Sequence, residues 1–285
     1  MNTIYLGFKA FDCHELLCHA IAQAAGFYTD KNLSVQLLDT SFVPDEALPE
    51  NTLHASCGAA LASFRTGKNR KVVFVACDKP MFWLYTSADV TTVRDLGQAR
   101  VASFPDAAPP ALFLRKLLSV SGASCGLLPS RDDVARLGLL RSGSVDAALL
   151  SSLYLPHQVE SRGLKTLAFV GDKLRLPSTG LAVSDEMFER EPGLVATMVE
   201  IFQRAMKTIF DDDALLGHVL RDTFLMPEKG LEQALETVRK CYNPFGFSYE
   251  TLLQEAVDAV AGDMGLNSRP AKELYEFKFI TPLNP

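Results

Sequence analysis

The sequence predicts an α/β protein of two lobes whose C-terminal third is helical. Strand-like and helix-like segments alternate over residues 3–77 and again over residues 100–170, which is typical of parallel sheets covered by helices. Residues 81–110 connect the two blocks, and beyond residue 186 the apolar spacing is that of helices. The expected lobe I comprises residues 1–86 plus 178–285, and the expected lobe II comprises residues 87–177.

The first block begins with a β-α-β unit. Residues 3–8 alternate like a strand, and apolar residues recur at helical spacing over residues 15–25. Asp12 is placed to cap this helix, with Glu15 at the capping-box position. A second strand is predicted over residues 33–38, and a helix between two strands implies that they are parallel.

Two further strands complete the first block and lead to the crossing. Residues 53–55 form a short strand followed by a helix that ends near residue 65. Residues 71–77 are almost wholly apolar, as in a strand of a parallel sheet that is buried on both faces. The crossing itself is predicted to contain a strand, a helical turn and a second strand, over residues 81–86, 92–97 and 100–104.

The second block and the C-terminal third follow from the same periodicities. Further strands are predicted over residues 127–129, 147–150, 167–170 and 180–184, and further helices over residues 110–120, 131–141 and 157–161. The C-terminal helices are predicted near residues 186–189, 193–210, 213–223, 229–242 and 249–261. The final segment is rich in Pro, Asn and Lys and is predicted to be a tail packed on the surface.

The charge balance argues against nucleic acid as a partner. The net charge is −6 and the isoelectric point about 5.4, and the basic residues are spread along the chain rather than clustered. Phosphate backbones require a clustered basic face. No stretch approaches the ~18 consecutive apolar residues of a membrane-spanning helix, so we expect no membrane span.

The N-terminus bears on the expected location. It enters a strand-like pattern directly, without the basic region and apolar stretch of a secretory signal. As written, the sequence is therefore expected to be cytoplasmic. The alternative is a periplasmic protein whose signal was removed or replaced, because its sequence would look the same.

The six cysteines form no CxxC pair. Free buried thiols in a reducing compartment are the preferred interpretation, since a chain of 285 residues with a full core does not need disulfides. An even number of cysteines leaves disulfides open as the alternative. Their spacing matches no structural zinc site.

Four segments, in this order, resemble one known family. They are GFYTDKNLSVQL from Gly26, VTTVRDLG from Val90, RSGSVDAA from Arg141 and PSTGLAVS from Pro177. Together they resemble the solute-binding proteins of ABC importers, and more narrowly the sulfonate, nitrate and thiamine-pyrimidine group, often called the NMT1/THI5-like family. The resemblance covers roughly residues 3–210.

The resemblance implies a type II periplasmic-binding-protein fold, in which two α/β lobes joined by hinge strands close on a small ligand. It implies a small-molecule ligand and an ABC permease as a possible partner. The same fold also carries thiamine-pyrimidine synthases and cytosolic decarboxylases or dehydratases. This sequence lacks the export signal of the receptors and the cysteine-rich iron motif of the synthases.

Candidate ligand-binding residues come from loops at the carboxyl ends of strands, where ligands bind in open α/β sheets. In the loop before the first helix, Phe11 is placed to stack on a ligand, and Asp12 and His14 to bond it. The alternative for this loop is a helix cap with an aromatic staple. In the second loop, Ser41, beside Phe42, either bonds a ligand or caps a turn.

The third loop contains Gly58 and Ala59, whose small size lets backbone N–H groups approach a ligand. The neighbouring Cys57 is not expected to be a nucleophile, because no basic residue nearby would lower its pKa. In the fourth loop, Ser103, Phe104 and Asp106 are predicted to close over the ligand from lobe II. Alternatively, Asp106 caps the helix that begins near residue 109.

Further candidates flank these loops. Asp78, with Lys79, forms either a gate or a surface ion pair, and Phe82 and Tyr154 are predicted aromatic walls of the cleft. Trp83, the only tryptophan, is either a ligand wall or part of the core.

The leading hypothesis is a protein that binds a small planar or anionic organic solute by hinge closure. No dinucleotide, phosphate-loop or serine-nucleophile motif is present, and the histidines lack metal-ligand spacing, so neither a cofactor nor a metal is expected. The alternatives are a cytosolic enzyme on the same scaffold, with His14 or Asp106 as general acid or base, and a regulatory sensor that signals lobe closure.

Overall fold

The computed structural model describes residues 2–41, 43–61, 69–87, 89–106, 108–130 and 132–281. These residues form two five-stranded mixed sheets with helices on their faces, which confirms the predicted α/β class. The first sheet has the strand order β2-β1-β3-β10-β4 and the second has the order β7-β6-β8-β5-β9. The strands are β1 (Asn2–Phe8), β2 (Leu33–Asp39), β3 (Thr52–Ser56), β4 (Arg70–Cys77), β5 (Trp83–Thr86), β6 (Arg100–Ser103), β7 (Gly126–Pro129), β8 (Ala147–Leu150), β9 (Lys165–Phe169) and β10 (Thr179–Ser184).

Helices connect the strands and make up the C-terminal third, as predicted. Those between strands are α1 (Cys13–Ala24), α2 (Phe27–Asp30), α3 (Gly58–Leu61), α4 (Pro109–Ser121), α5 (Asp133–Arg141), α6 (Pro156–Glu160) and α7 (Val170–Lys173). The C-terminal helices are α8 (Asp185–Arg190), α9 (Pro192–Asp211), α10 (Asp213–Asp222), α11 (Leu231–Cys241) and α12 (Glu250–Asp263). Short 3₁₀ turns occupy Asp45–Ala47, Val93–Leu96 and Ala271–Glu273.

The chain changes sheet between β4 and β5 and again between β9 and β10. Here lobe I means the first sheet with its helices, and lobe II means the second sheet with its helices. The exact division at residues 86 and 178 stays a prediction. The short strands β5 and β10 lie beside the two crossings and are therefore the expected hinges.

The predicted parallel pairing is confirmed for β1 and β2 but is wrong for β4 and β10. The strands β1 and β2 pair in parallel, as a β-α-β unit requires. The strand β4 is buried as predicted, but its pairing with β10 is antiparallel. The reason is that β10 returns from the second sheet and enters the first one in the opposite direction.

The C-terminal segment is not merely a surface tail. The backbone N–H of Val72 donates to the carbonyl of Leu274, and the N–H of Glu276 donates back to the carbonyl of Val72. The side chains of Leu274 and Tyr275 are buried against the outer face of the first sheet. The segment thus covers the edge of β4, which would otherwise present unpaired backbone groups.

All six cysteines are free, as predicted, whereas the reducing compartment stays a prediction. Five are buried and Cys125 is partly exposed. None of the described helices has the length and apolar character needed to cross a membrane.

Candidate ligand-binding cleft

The first turn of α1 joins lobe I to lobe II. Asp12 is the N-cap of this helix, as predicted, and its carboxylate accepts a hydrogen bond from the N–H of Glu15 at 2.9 Å. The Cys13 thiol donates to the Ser152 hydroxyl of lobe II at 3.3 Å. The ring of His14 meets the ring of Phe82 edge to face, with 5.2 Å between the centroids. Three consecutive residues therefore face the lobe junction.

The predicted capping box is wrong in one respect. The Glu15 carboxylate accepts from the backbone N–H groups of Lys9 and Ala10, at 3.0 and 2.8 Å, rather than from that of Asp12. Glu15 thus fixes the loop between β1 and α1. This loop carries the first set of candidate ligand-binding residues.

Aromatic rings line the lobe II side of the junction. The Phe82 centroid lies 5.5 Å from that of Phe104 and 6.1 Å from that of Phe113. The guanidinium carbon of Arg136 lies 3.5 Å from the centre of the Phe104 ring, within the range of a cation–π contact. Three of the candidates proposed from sequence, His14, Phe82 and Phe104, therefore form one continuous group.

Two buried polar atoms at the inner ends of these loops have no hydrogen-bond partner among the described residues. They are Nδ1 of His14 and Oγ of Ser103, on side chains that are 5% and 0% exposed. Most buried polar atoms in proteins are paired, and one that is not requires an explanation. Burial lowers the pKa of His14 to about 3, so its imidazole is neutral at physiological pH.

The acids of the same loop have raised pKa values. Burial, reinforced by the charge of Asp133, raises the pKa of Asp12 to about 7. Burial and the charge of Asp12 raise the pKa of Glu15 to about 8. Burial, together with Asp12, also raises the pKa of the Cys13 thiol to about 12. Acids from both lobes, Asp12 and Glu15 in lobe I and Asp133 in lobe II, therefore influence the electrostatics of the lobe junction.

Gly58 lies close to Pro109 of lobe II. Its N–H donates to the Ser56 hydroxyl at 3.1 Å. A Cβ atom at this position would lie 3.0 Å from the Pro109 side chain at the start of α4. Glycine is therefore needed for the close approach of the lobes, and Ala59 follows it in α3.

Replacing Gly58 with alanine is expected to oppose lobe closure, because the added methyl group meets Pro109. Overpacking of this kind costs about 1–3 kcal/mol, which would favour an open form. Small-angle X-ray scattering should show a larger radius of gyration for Gly58→Ala. The matched control is Gly262→Ala in α12, where a Cβ atom has no neighbour within 4 Å. An unchanged radius of gyration in Gly58→Ala would contradict this account.

Phe11, Ser41 and Tyr154 lie around the junction rather than at its centre. Phe11 is 52% exposed and packs against Phe8 and Phe224, with centroids 5.9 and 6.0 Å apart. The Ser41 hydroxyl donates to the carbonyl of Lys9 at 3.0 Å, which joins two loops rather than capping a turn. Tyr154 is half-buried, and its backbone carbonyl accepts a hydrogen bond from a tyrosine hydroxyl of β5. The neighbouring candidate, Phe42, lies outside the described residues.

The two remaining acids have partners other than those the sequence indicated. Asp78 is 3% exposed and accepts from the guanidinium of Arg175 at 2.8 and 3.0 Å, so the surface pair with Lys79 is wrong. The side chain of Asp106 is 74% exposed and lies 3.8 Å from that of Arg115. The cap of α4 is Ala108, which excludes the capping role for Asp106.

Trp83 packs against Phe169, with centroids 4.3 Å apart, in an apolar core cluster that contains residues of both lobes. It also borders a groove of about 610 Å³ between β9 and the 3₁₀ turn Val93–Leu96. Of the two roles predicted for Trp83, a wall of the ligand site or part of the core, its packing is that of a core residue. Its indole N–H is buried without a partner among the described residues.

Sequence reasoning missed two residues that hold the junction in place. The Tyr242 hydroxyl lies 2.7 Å from the carbonyl of Cys13 and 3.1 Å from that of His14, and so braces the start of α1. Arg136 is 1% exposed and bonds the carbonyls of Ser130 and Leu149. The spacing of Asp133 and Arg136 could have indicated an ion pair, but no local signal points to Tyr242.

No cluster of three or more His, Cys, Asp or Glu side chains within the described ranges is arranged to hold a metal ion.

The sequence matches no protein-family model and no curated protein. Solved structures do resemble the fold. The periplasmic aliphatic sulphonate binding protein SsuA from Escherichia coli aligns over 100% of this chain and 94% of its own, with 14% identity and a TM-score of 0.79. The ligand-binding component of an ABC-type import system from Staphylococcus aureus, with zinc bound, aligns over 98% of both chains, with 12% identity and a TM-score of 0.74.

An enzyme shares the fold as well. A mutant of the desulfurization enzyme DSZB in complex with biphenyl-2-sulfinic acid aligns over 98% of this chain and 97% of its own, with 13% identity and a TM-score of 0.73. The narrower sulfonate, nitrate and thiamine-pyrimidine family is not shown, since no family model matches. The chain therefore has the fold of periplasmic binding proteins, a fold that also carries enzymatic activity in at least one neighbour.

Proposed function

We propose that this protein binds a small planar organic solute between its two lobes and closes on it. The observation that carries the proposal is His14 Nδ1, a buried polar atom without a partner among the described residues, on a ring that meets Phe82, which in turn lies against Phe104. A second such atom is Ser103 Oγ, at the end of β6. A ligand that hydrogen-bonds these atoms would remove the cost of leaving them unpaired. The aromatic rings would provide the apolar walls typical of small-molecule sites.

The two crossings between the sheets support hinge closure as the mechanism. The segments β4–β5 and β9–β10 are the two connections between the lobes, and the other contacts at the junction are noncovalent. The contacts between Cys13 and Ser152 and between His14 and Phe82 belong to the closed form. Opening at the hinges would separate these pairs and admit a solute.

We assign the finer role of import receptor on the likeness to SsuA and to the S. aureus import component. In that role the closed protein would deliver its solute to an ABC permease, and it would work in the periplasm or at the cell surface. Phe11 and the other exposed side chains around the junction would then change position on closure. This change would distinguish loaded from empty protein for the permease.

The enzyme alternative rests on the likeness to DSZB. Cys13, His14 and Asp106 do not fit catalytic roles, whereas the pKa of Asp12, about 7, is in the range of a general acid or base. A nucleophilic cysteine needs a lowered pKa, whereas that of Cys13 is raised to about 12. A general base works best with a pKa near the operating pH, whereas that of His14 is lowered to about 3. Asp106 is exposed beside Arg115.

Native mass spectrometry of freshly purified protein, followed by thermal-shift screening against aromatic amides, aromatic acids, sulfonates and pyrimidines, tests the proposal. A solute that raises the melting temperature and is recovered unchanged supports a binding protein. Recovery of a reaction product would replace the proposal with the enzyme. Stabilisation by no member of the panel and an absence of co-purified solute would overturn both.

His14→Leu is expected to weaken binding of the identified solute by about five- to tenfold, because a hydrogen-bonded pair in a closed site contributes about 1–1.5 kcal/mol. The melting temperature should change little, since this imidazole is already neutral and its Nδ1 has no partner among the described residues. The matched control is His19→Leu on the same helix. Its imidazole lies 3.0 Å from the Tyr28 hydroxyl, so that variant should lose stability and keep affinity. The reverse pattern would remove His14 from the site.

A further inference from the structure

We infer that the solute is uncharged, an aromatic ring with hydrogen-bonding edges rather than a sulfonate or a carboxylate. The inference rests on the proposed function and deepens it, because it distinguishes the two ligand classes that the sequence left open. Three observations support it. Acids lie at the lobe junction, the cations near the junction are already paired with acids, and the polar atoms there without partners among the described residues are uncharged.

Acids reach the junction from both lobes. Asp12 is 4% exposed at the start of α1, and Glu15 lies one turn further along the same helix. From lobe II, Asp133 is near enough for its charge to raise the pKa of Asp12. The pKa values of Asp12 and Glu15, about 7 and 8, leave both acids at least partly ionised at pH 8, where their charge would repel an anion bound beside them. The repulsion is strengthened where water is excluded, whereas the charge of Asp133 is balanced by Arg136.

Two cations near the junction are already paired with acids: Arg136, which is buried, and Arg175, whose side chain is 53% exposed. The guanidinium of Arg136 donates to Asp133 at 2.6 Å and to the carbonyls of Leu149 and Ser130 at 2.9 and 2.7 Å. The guanidinium of Arg175 is committed to Asp78. Taking either cation for a ligand would leave a carboxylate unpaired, which is costly for a buried group. The nearby Lys9 is exposed, and its charge acts on Glu15.

The helix terminus at the junction is also occupied. The positive end of a helix dipole attracts anions, but at α1 the Asp12 carboxylate already accepts the N–H of Glu15. Glu15 adds a second acid in the same turn. The end of α1 that could have held a sulfonate is therefore neutralised by the chain's own side chains.

The polar atoms that remain suit an uncharged ligand. A neutral imidazole either donates or accepts at Nδ1 according to its tautomer, and a serine hydroxyl does both. Such atoms match an amide, a carbonyl or a ring nitrogen. The rings of Phe82 and Phe104 match the aromatic body of the solute.

Matched pairs of aromatic compounds, differing in charge and little in shape, test the inference by isothermal titration at pH 8. The probes are p-toluenesulfonamide with p-toluenesulfonate, benzamide with benzoate, and nicotinamide with nicotinate. In each pair that binds, we expect the uncharged member to bind at least about tenfold more tightly. Equal or tighter binding of the anions would overturn the inference and leave the proposed function standing. Binding of no member of any pair would count against both.

The variant Asp12→Asn tests whether the charge of Asp12 causes the preference for uncharged over anionic compounds. Asparagine caps helices as well as aspartate does, so the fold should be kept. Removing this charge should reduce the preference for the uncharged member by about threefold or more. The matched control is Asp30→Asn, which removes an equal charge from an exposed pair with Arg204 beside the amino-terminal end of β2. A preference that is unchanged in Asp12→Asn, or equally reduced in Asp30→Asn, would contradict the assignment to Asp12.

Discussion

Replacing Arg136 with methionine is expected to lower the free energy of unfolding by about 3–5 kcal/mol, the cost of removing one partner from a buried ion pair. Arg136 is 1% exposed, and methionine would fill much of its volume without its donors. The change leaves the Asp133 carboxylate and the carbonyls of Ser130 and Leu149 without their bonds to Arg136. The contact with the face of Phe104 is also lost.

Urea unfolding followed by tryptophan fluorescence measures this effect. Trp83 is the only tryptophan and lies in β5, so its emission reports on lobe II. The matched control is Arg141→Met at the exposed end of the same helix, α5, which should change stability by less than about 0.5 kcal/mol. Similar small effects in both variants would mean that Arg136 does not hold α5 to the end of β8.

The arrangement of elements was largely predictable because local patterns determine it. Apolar spacing of 3.6 and of 2 residues is a local property, and it identified α1, the long helix α9 and the buried strand β4. The cap at Asp12 was equally local, because donor and acceptor lie within one turn. The direction of β4 was not local, since its partner β10 is separated from it by the whole of lobe II.

The candidate cleft was predictable only where it follows from strand ends. Ser103 and Phe104 lie at and just beyond the end of β6, His14 lies in the first turn of the helix after β1, and Phe82 lies just before β5. His14, Phe82 and Phe104 form one group of rings. The brace from Tyr242 joins residues 229 positions apart in the chain, so periodicity cannot reveal it. The pairing of Asp78 with Arg175 likewise depends on where the chain returns from lobe II.

The protein is expected to be most stable near pH 6.5 and to lose about 1–3 kcal/mol of unfolding free energy by pH 8. The folded-state pKa values of Asp12 and Glu15 are raised to about 7 and 8, from ordinary values of 3.8 and 4.5. The folded protein therefore holds protons that the unfolded chain has released, so these two groups lower stability as the pH rises toward 8. Between pH 6.5 and pH 8 these two acids therefore determine how the free energy of unfolding changes with pH.

Three histidines act in the opposite direction below pH 6.5. Burial lowers the pKa of His14 and His54 to about 3 and that of His19 to about 4. The unfolded chain takes up protons at these residues where the folded protein does not, so stability rises with pH until about 6.5. Between about pH 4.5 and 6.5 the three histidines raise stability with pH more than the two acids lower it. The plot of unfolding free energy against pH therefore has its maximum near pH 6.5.

Urea unfolding at half-unit steps from pH 5 to pH 8 measures the curve below the range in which the buried cysteines, whose pKa values are raised, lower stability. Paired variants separate its two sides. Asp12→Asn combined with Glu15→Gln should flatten the decline above pH 6.5 while keeping the rise below it, because only the acids are removed. Asp30→Asn, at an exposed pair, should leave both sides unchanged. Stability that rises between pH 6.5 and pH 8, or a decline over that range that persists in the double variant, would show that Asp12 and Glu15 are not protonated at the lobe junction. The same protons would then be unavailable to reduce the negative charge there, and discrimination against anions would extend to lower pH.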